Sequence, residues 1–281
     1  VGKVDRLFLG LWKVLPTNLL SRLTGFLARV PLPFPLNVLF LRTYAALFRV
    51  NLKEAEFPLS RYHTLQAFFT RRLKAGVRAV EADRKSIVAP VDGTFLQRQS
   101  VSSGTLLQVK GWRYSLRDLL GDPKQASLFL GGTACTIYLS PADYHRIHMP
   151  LEGTVECLHY LPGRLFPVNR FSLTRVRNLF LLNERVILHL KTGAGNVAMV
   201  LVGATNVGKI RVCFDDIRRR FSRSGAFQRT YTREIFLPKG EEVGCFELGS
   251  TVILLFEKDQ VTLTAEEGEK ARMGGAIGFI S

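Results

Sequence analysis

From about residue 75 onward, apolar runs of three to eight residues recur between turn-forming Gly, Pro, Asn and Asp, and this cadence restricts the folds open to the chain. The runs fall at 86–90, 93–97, 105–109, 128–130, 135–139, 153–160, 186–190, 197–202, 209–214, 242–247 and 251–256. Such spacing predicts a predominantly antiparallel core, a β sandwich or barrel. Asn183-Glu184-Arg185 and Lys191-Thr192-Gly193-Ala194-Gly195 carry hairpin-turn chemistry. Residues 215–233 are basic and weakly patterned, and are expected to form a surface loop.

Before residue 75 the period is helical. Val4, Phe8, Leu11, Trp12 and Leu15 recur at helical spacing up to Pro16. Leu19, Leu20, Leu23, Phe26 and Leu27 form a second face. Asn37 is placed to cap a third helix through Leu41, Tyr44, Ala45 and Phe48. Residues 62–72 predict a fourth, with Leu65, Phe68 and Phe69 together. The expected class is therefore α+β, with a helical region at 1–74 and a β-rich core at 75–281.

Charge indicates what the helices meet. The chain has 39 Lys and Arg against 23 Asp and Glu, net +16, and residues 1–74 alone hold 12 against 3. An excess of this size calls for an anionic partner. The stretch is rich in Leu and Phe and lacks nucleic-acid-reading motifs, so the partner expected is an anionic lipid surface and not nucleic acid. Each apolar face is equally compatible with packing on the rest of the protein. Trp12, Phe26, Phe34, Phe40 and Phe48 beside basic residues assign the first three helices to lipid and leave the fourth to the core. No segment reaches the roughly 18 uninterrupted apolar residues of a spanning helix. Residues 30–41 contain Pro31, Pro33 and Pro35, and Asp5, Arg6 and Lys13 interrupt the first apolar stretch without a signal-peptide cleavage site. The expectation is a peripheral protein on the cytoplasmic face of the cell membrane. Cys135, Cys157, Cys213 and Cys245 form no Cys-x-x-Cys pair, which fits buried free thiols in a reducing compartment.

The chemistry concentrates at Leu248-Gly249-Ser250-Thr251, a turn running into Val252-Ile253-Leu254-Leu255-Phe256. Gly-Ser-Thr by itself is ordinary turn chemistry. A serine following glycine can also attack the carbonyl before it, because glycine presents no Cβ and tolerates strained angles. The acyl group moves from nitrogen to oxygen, the ester eliminates, and serine becomes a pyruvoyl ketone. That step needs a base, and Ser140-Pro141-Ala142-Asp143-Tyr144-His145-Arg146-Ile147-His148-Met149-Pro150 supplies two imidazoles. Ser140, Pro141 and Asp143 have the spacing of a capped helical turn, which would put His145 and His148 on one face. A zinc pair is the rival reading; it lacks a third ligand and the Glu of His-Glu-x-x-His. Arg146 is a candidate for a lipid phosphate and equally an ordinary surface arginine. A hydrolase elbow Gly-x-Ser-x-Gly is not present around Ser250.

The chain resembles the bacterial, membrane-associated phosphatidylserine decarboxylases. The resemblance rests on Ala89-Pro90-Val91-Asp92-Gly93, on Lys110-Gly111 with Tyr114-Ser115-Leu116, and on the Asp143 to Pro150 segment. It continues through Leu179-Phe180 with Asn183-Glu184-Arg185-Val186, Val202-Gly203-Ala204-Thr205-Asn206-Val207-Gly208, and Gly249-Ser250-Thr251, in the family's order. The resemblance implies self-cleavage between Gly249 and Ser250, with Asp92 and His148 activating Ser250 in the manner of a serine-protease triad. It implies that His145 acts in decarboxylation, and that the cofactor is the pyruvoyl group derived from Ser250. Phosphatidylserine would bind as a Schiff base, lose carbon dioxide, and leave as phosphatidylethanolamine. The fragments 1–249 and 250–281 would stay associated without a covalent link, and a homodimer is the implied assembly.

Overall fold

The computed structural model describes residues 25–108, 111–204, 210–217, 225–247 and 250–281, with Arg170 and Ser250 described through their backbones alone. The helical faces expected before residue 25 lie outside the described residues. Among the described residues, a helical turn at 25–27 and two helices, α1 (Leu36–Phe48) and α2 (Leu65–Phe69), precede the first strand. Strands β1 (Ser86–Val88), β2 (Gly93–Ser100), β3 (Thr105–Gln108) and β4 (Trp112–Ser115) follow, then helices α3 (Leu116–Leu120) and α4 (Pro123–Leu128). Next come β5 (Thr133–Leu139), β6 (Arg146–His148) and β7 (Gly153–Leu161), with short helices α5 (Arg170–Leu173) and α6 (Leu179–Leu182). The chain continues through β8 (Arg185–Thr192), β9 (Gly195–Gly203), β10 (Ile210–Val212), β11 (Phe227–Thr230) and β12 (Phe236–Leu237). It ends with β13 (Glu242–Phe246), β14 (Ser250–Phe256), β15 (Val261–Leu263), β16 (Lys270–Ala271) and β17 (Ala276–Ile280).

The largest sheet has nine strands in the order β11-β7-β8-β9-β14-β5-β2-β16, with β12 also on β7. All its pairings are antiparallel. Strand β14 lies at its centre. Val252, Leu254 and Phe256 enter one apolar cluster, whereas Ile253 and Leu255 enter another on the opposite face. Burial on both faces explains why this strand reads as a continuous apolar run instead of an alternating one. A small sheet, β10-β13-β6, leads into one end of the large one. The β-rich core expected from the cadence is present, and its sheets do not close into a barrel.

Several local expectations are corrected. Residues 128–130 form no strand, because Asp122 caps α4 and Pro123 opens it. Asn183 ends α6 instead of turning a hairpin, and its amide bonds Phe166 and Gly203. The 191–195 hairpin forms as expected, with Thr192 opposite Gly195. Residues 215–233 are not simply a loop: β11 pairs with the edge of β7, and residues 218–224 lie outside the described residues. Three of the thiols are buried as expected, but Cys213 is exposed.

The N-terminal helices also differ in detail. Asn37 lies inside α1, where its buried amide donates to the Tyr62 carbonyl; it is not the cap. Helix α2 is only Leu65–Phe69, capped by Thr64, and is shorter than the 62–72 expected. Leu41 and Ala45 of α1 pack with Val50, Tyr62 and Phe68. The opposite side of α1 shows Leu36, Leu39, Phe40, Leu47 and Phe48 to the outside. No described helix is long and apolar enough to cross a membrane.

Because Leu254 is completely buried and flanked by strands on both sides, Leu254→Ala leaves a cavity that backbone shifts cannot fill. The expected loss is about 2–5 kcal/mol of unfolding free energy, read from urea melts; a loss below about 1 kcal/mol would contradict this packing.

Candidate active site

Ser250 is the first residue of β14, and its backbone is registered with Leu139 of β5 on one side and Gly203 of β9 on the other. Leu248 and Gly249, on which the cleavage expectation falls, lie outside the described residues. Two chain paths bring the histidines to the same end of the sheet. Strand β5 leaves the sheet at Leu139, and six residues later the chain reaches His145. Strand β13 runs antiparallel to β6, with Glu242 opposite His148 and the Phe246 N–H donating to the His145 carbonyl. Phe246 is only four residues from Ser250, at most about 14 Å of extended chain.

The histidines do not share a helix face. Residues 140–144 form a tight turn in which the Asp143 carboxylate accepts from both the Ser140 N–H and its hydroxyl, each at 2.7 Å. The capping geometry is made, but no helix grows from it, because residues 146–148 are drawn into β6 by pairing with β13. His145 and His148 therefore sit at the two ends of a short extended segment.

His148 is buried, and both ring nitrogens have partners. Nδ1 lies 2.8 Å from the Gly240 carbonyl, which can only accept, so Nδ1 carries the proton. Nε2 is thus left basic, and it receives the Tyr144 hydroxyl at 3.1 Å. Burial pushes the His148 pKa below its ordinary value, opposed by the Gly240 bond. Burial also holds the Tyr144 phenol well above its normal range, so it remains an O–H donor.

Asp92 does not contact His148 by hydrogen bond among the described residues. Its carboxylate is taken by Arg78, from Nε at 2.9 Å and Nη2 at 2.5 Å, and by the Met273 N–H at 2.8 Å. Arg78 also reaches Glu54 at 2.8 Å. The direct Asp–His contact implied by the resemblance is thus replaced here by a backbone carbonyl, that of Gly240. Asp92 is linked to His148 through the backbone instead: the His148 N–H donates to Pro90, two residues before Asp92, at 2.8 Å.

His145 is fully buried against the Phe69 ring, with centroids 3.9 Å apart. Its Nδ1 donates to the Asp143 carbonyl at 2.8 Å, and its Nε2 has no partner among the described residues. Burial lowers its pKa to about 3. The Thr251 hydroxyl, one residue into β14, is likewise buried and without a partner. Orphaned buried polar atoms are rare, and these are two of the few among the described residues. Arg146 is occupied: it grips Glu242 at 2.7 and 2.8 Å and donates to the Thr70 carbonyl, so it is not placed for a lipid phosphate. Three residues before Ser250, buried Glu247 is tied to Arg29 at 2.8 Å. Arg78 and Gly240, which hold Asp92 and His148, were not legible in the sequence, since each makes its contact at a distance along the chain. Tyr144 was visible beside the histidines, but nothing local revealed its bond to Nε2.

The chain matches the model of the phosphatidylserine decarboxylase family over residues 65–279. It is 43% identical over 279 residues to the phosphatidylserine decarboxylase proenzyme of Myxococcus xanthus, covering 99% of each chain. The proenzymes of Anaeromyxobacter sp. and Brevibacillus brevis are 41% and 39% identical, over 98% and 97% of each chain.

A buried neutral His145 makes stability depend on pH with a definite sign. Below pH about 6.5 the unfolded chain binds a proton at this residue that the folded chain refuses until about pH 3. Its contribution is complete above pH about 6.5 and declines as pH falls toward 3. His145→Gln is therefore expected to lose less stability than the parent between pH 7.5 and 5 in urea melts; equal losses would refute the neutral assignment.

Proposed function

This chain belongs to the phosphatidylserine decarboxylase family, and we propose that it converts phosphatidylserine to phosphatidylethanolamine with a pyruvoyl group made from its own Ser250. The observation that carries this reading is the position of Ser250. It opens a strand fixed on both edges, at the end of the sheet where the two-histidine segment enters. The word proenzyme in the relatives' names is consistent with a maturation step.

In that step the basic Nε2 of His148 takes the Ser250 hydroxyl proton, and the oxygen attacks the Gly249 carbonyl carbon. The Gly249–Ser250 carbon–nitrogen bond breaks as the nitrogen is protonated, leaving an ester. Loss of the Ser250 α-proton then expels Gly249 as a carboxylate and creates a carbon–carbon double bond at residue 250. Water replaces the nitrogen, ammonia leaves, and a ketone heads the 32-residue fragment 250–281. The Gly240 carbonyl keeps the His148 proton on Nδ1, as the buried aspartate does in a serine-protease triad. Asp92 acts as a positioning residue: anchored by Arg78 and Met273, it holds the turn that supports the His148 backbone.

When formed, the ketone supplies an electron sink for the electrons released as carbon dioxide departs. The unpartnered His145 Nε2 suits a polar group of the substrate. His145, kept neutral by burial, suits handling the proton at carbon; pairing with a carboxylate would require a charge it does not carry. Residues 1–74 form the docking region, and the outward apolar side of α1 supports this. The two fragments stay together because β14 is paired with β5 and β9 along its whole length.

Denaturing mass spectrometry and release of labelled carbon dioxide from phosphatidylserine test the proposal together. The parent protein is expected as two chains, the smaller carrying a hydrazine-reactive carbonyl. Ser250→Ala and His148→Ala are expected as single uncut chains with no decarboxylation. An active parent that is one uncut chain would overturn the mechanism.

A further inference from the structure

Beside the Asp92 turn lies a cavity of ≈ 300 Å³, bordered by the residues after α1, the segment after α2, and the β16 strand with Arg272. Its size is at the small end of ligand-binding cavities. Five cations border it against three carboxylates, and the carboxylates are already committed. Asp92 and Glu54 are both held by Arg78, and Asp143 accepts from Ser140. The other four cations, Arg49, Arg71, Lys270 and Arg272, have no carboxylate partner among the described residues.

Arg71 is the decisive one. It is 4% exposed, yet among the described residues its guanidinium meets only uncharged groups: the main-chain carbonyls of Ala142 at 2.9 Å and of Phe68 and Asp143 at 3.4 Å, and the Phe68 ring at 5.2 Å. Its Nε has no partner among the described residues. Carbonyls satisfy N–H groups but do not neutralise a charge, and a buried cation without a counterion is strongly disfavoured. Burial accordingly lowers the Arg71 pKa. An anion in the cavity would reverse that cost.

The rim says what kind of anion. Arg49, which borders the cavity, directly follows Leu47 and Phe48, which are 73% and 38% exposed on the apolar outer side of α1. A cationic cavity opening at the end of an apolar ridge fits a molecule with an anionic head and an apolar tail. We propose that this cavity binds the phosphate of an anionic glycerophospholipid, with Arg71 as the buried contact and Lys270 and Arg272 at the entrance. The cavity shares Asp92, Asp143 and Tyr144 with the surroundings of His148, but binding there requires neither chain cleavage nor a ketone at residue 250.

Calorimetric titration of the full chain tests this with three soluble probes: dihexanoyl phosphatidylglycerol below its micelle concentration, dihexanoyl phosphatidylcholine, and inorganic phosphate. The phosphatidylglycerol is expected to bind at least tenfold more tightly than either of the others. The exposed double variant Lys270→Gln, Arg272→Gln is expected to weaken it at least tenfold while melting like the parent. Arg71→Met, which removes the uncompensated charge, is expected to melt no lower than the parent without ligand and to lose the rise in melting temperature that the lipid gives the parent. Unchanged affinity in the double variant, an undiminished rise in Arg71→Met, or phosphate binding as tightly as the lipid would each overturn the proposal. None of these readouts involves chain cleavage or decarboxylation, so failure here leaves the Ser250 reading standing.

Discussion

The pairing of β14 on both edges is the constraint from which the rest of the molecule follows. Each of its seven residues is opposed by β5 on one side and β9 on the other. Its backbone polar groups therefore find partners in a region where solvent is absent, and its side chains seal both faces of the sheet. A strand held this way has one register only, since a shift by one residue would exchange the two cores. The position of Ser250 is thus set by the whole sheet and not by the turn before it. The segments that bracket it, the end of β5 and the end of β13, inherit the same order.

Around that fixed point the polar groups divide the work differently from a simple triad. His148 receives its orientation from a main-chain carbonyl, while Asp92 is neutralised by Arg78 and a backbone N–H. A carbonyl in place of a carboxylate fixes the tautomer without placing a full negative charge beside the ring, and so gives less stabilisation to a protonated imidazole. That arrangement suits a reaction performed once per molecule more than one repeated rapidly. Arg78, by spanning Glu54 and Asp92, also ties the segment after α1 to the Asp92 turn.

How much of this was legible in the sequence depended on whether the cause was local. The central strands were readable because burial on two faces leaves an unbroken apolar run, as in Val252 to Phe256. The 191–195 hairpin was readable because its turn residues specify it. Short edge strands such as β11, β12 and β16 were not, since two to four residues become a strand only when a partner is beside them. The Ser140 to Pro150 segment shows the two effects in conflict. Its capping residues make the predicted local bonds, but pairing with β13 overrides the helix they would begin. The candidate residues came from motif resemblance, whereas the contacts that hold His148 and Asp92, from Gly240 and Arg78, cross 92 and 14 positions of chain and leave no local trace.

Under the proposed self-cleavage, the same double pairing has a consequence for the life of the cut protein. A severed chain that keeps its central strand is thermodynamically a complex of two molecules, although the folded sheet scarcely registers the cut. While folded, neither piece can leave without dismantling the hydrophobic layers on both sides of β14. Once unfolded, the pieces diffuse apart, and reassembly becomes a second-order encounter whose rate falls with dilution. Maturation would therefore make the fold a structure that the chain can reach easily only once, while it is still whole.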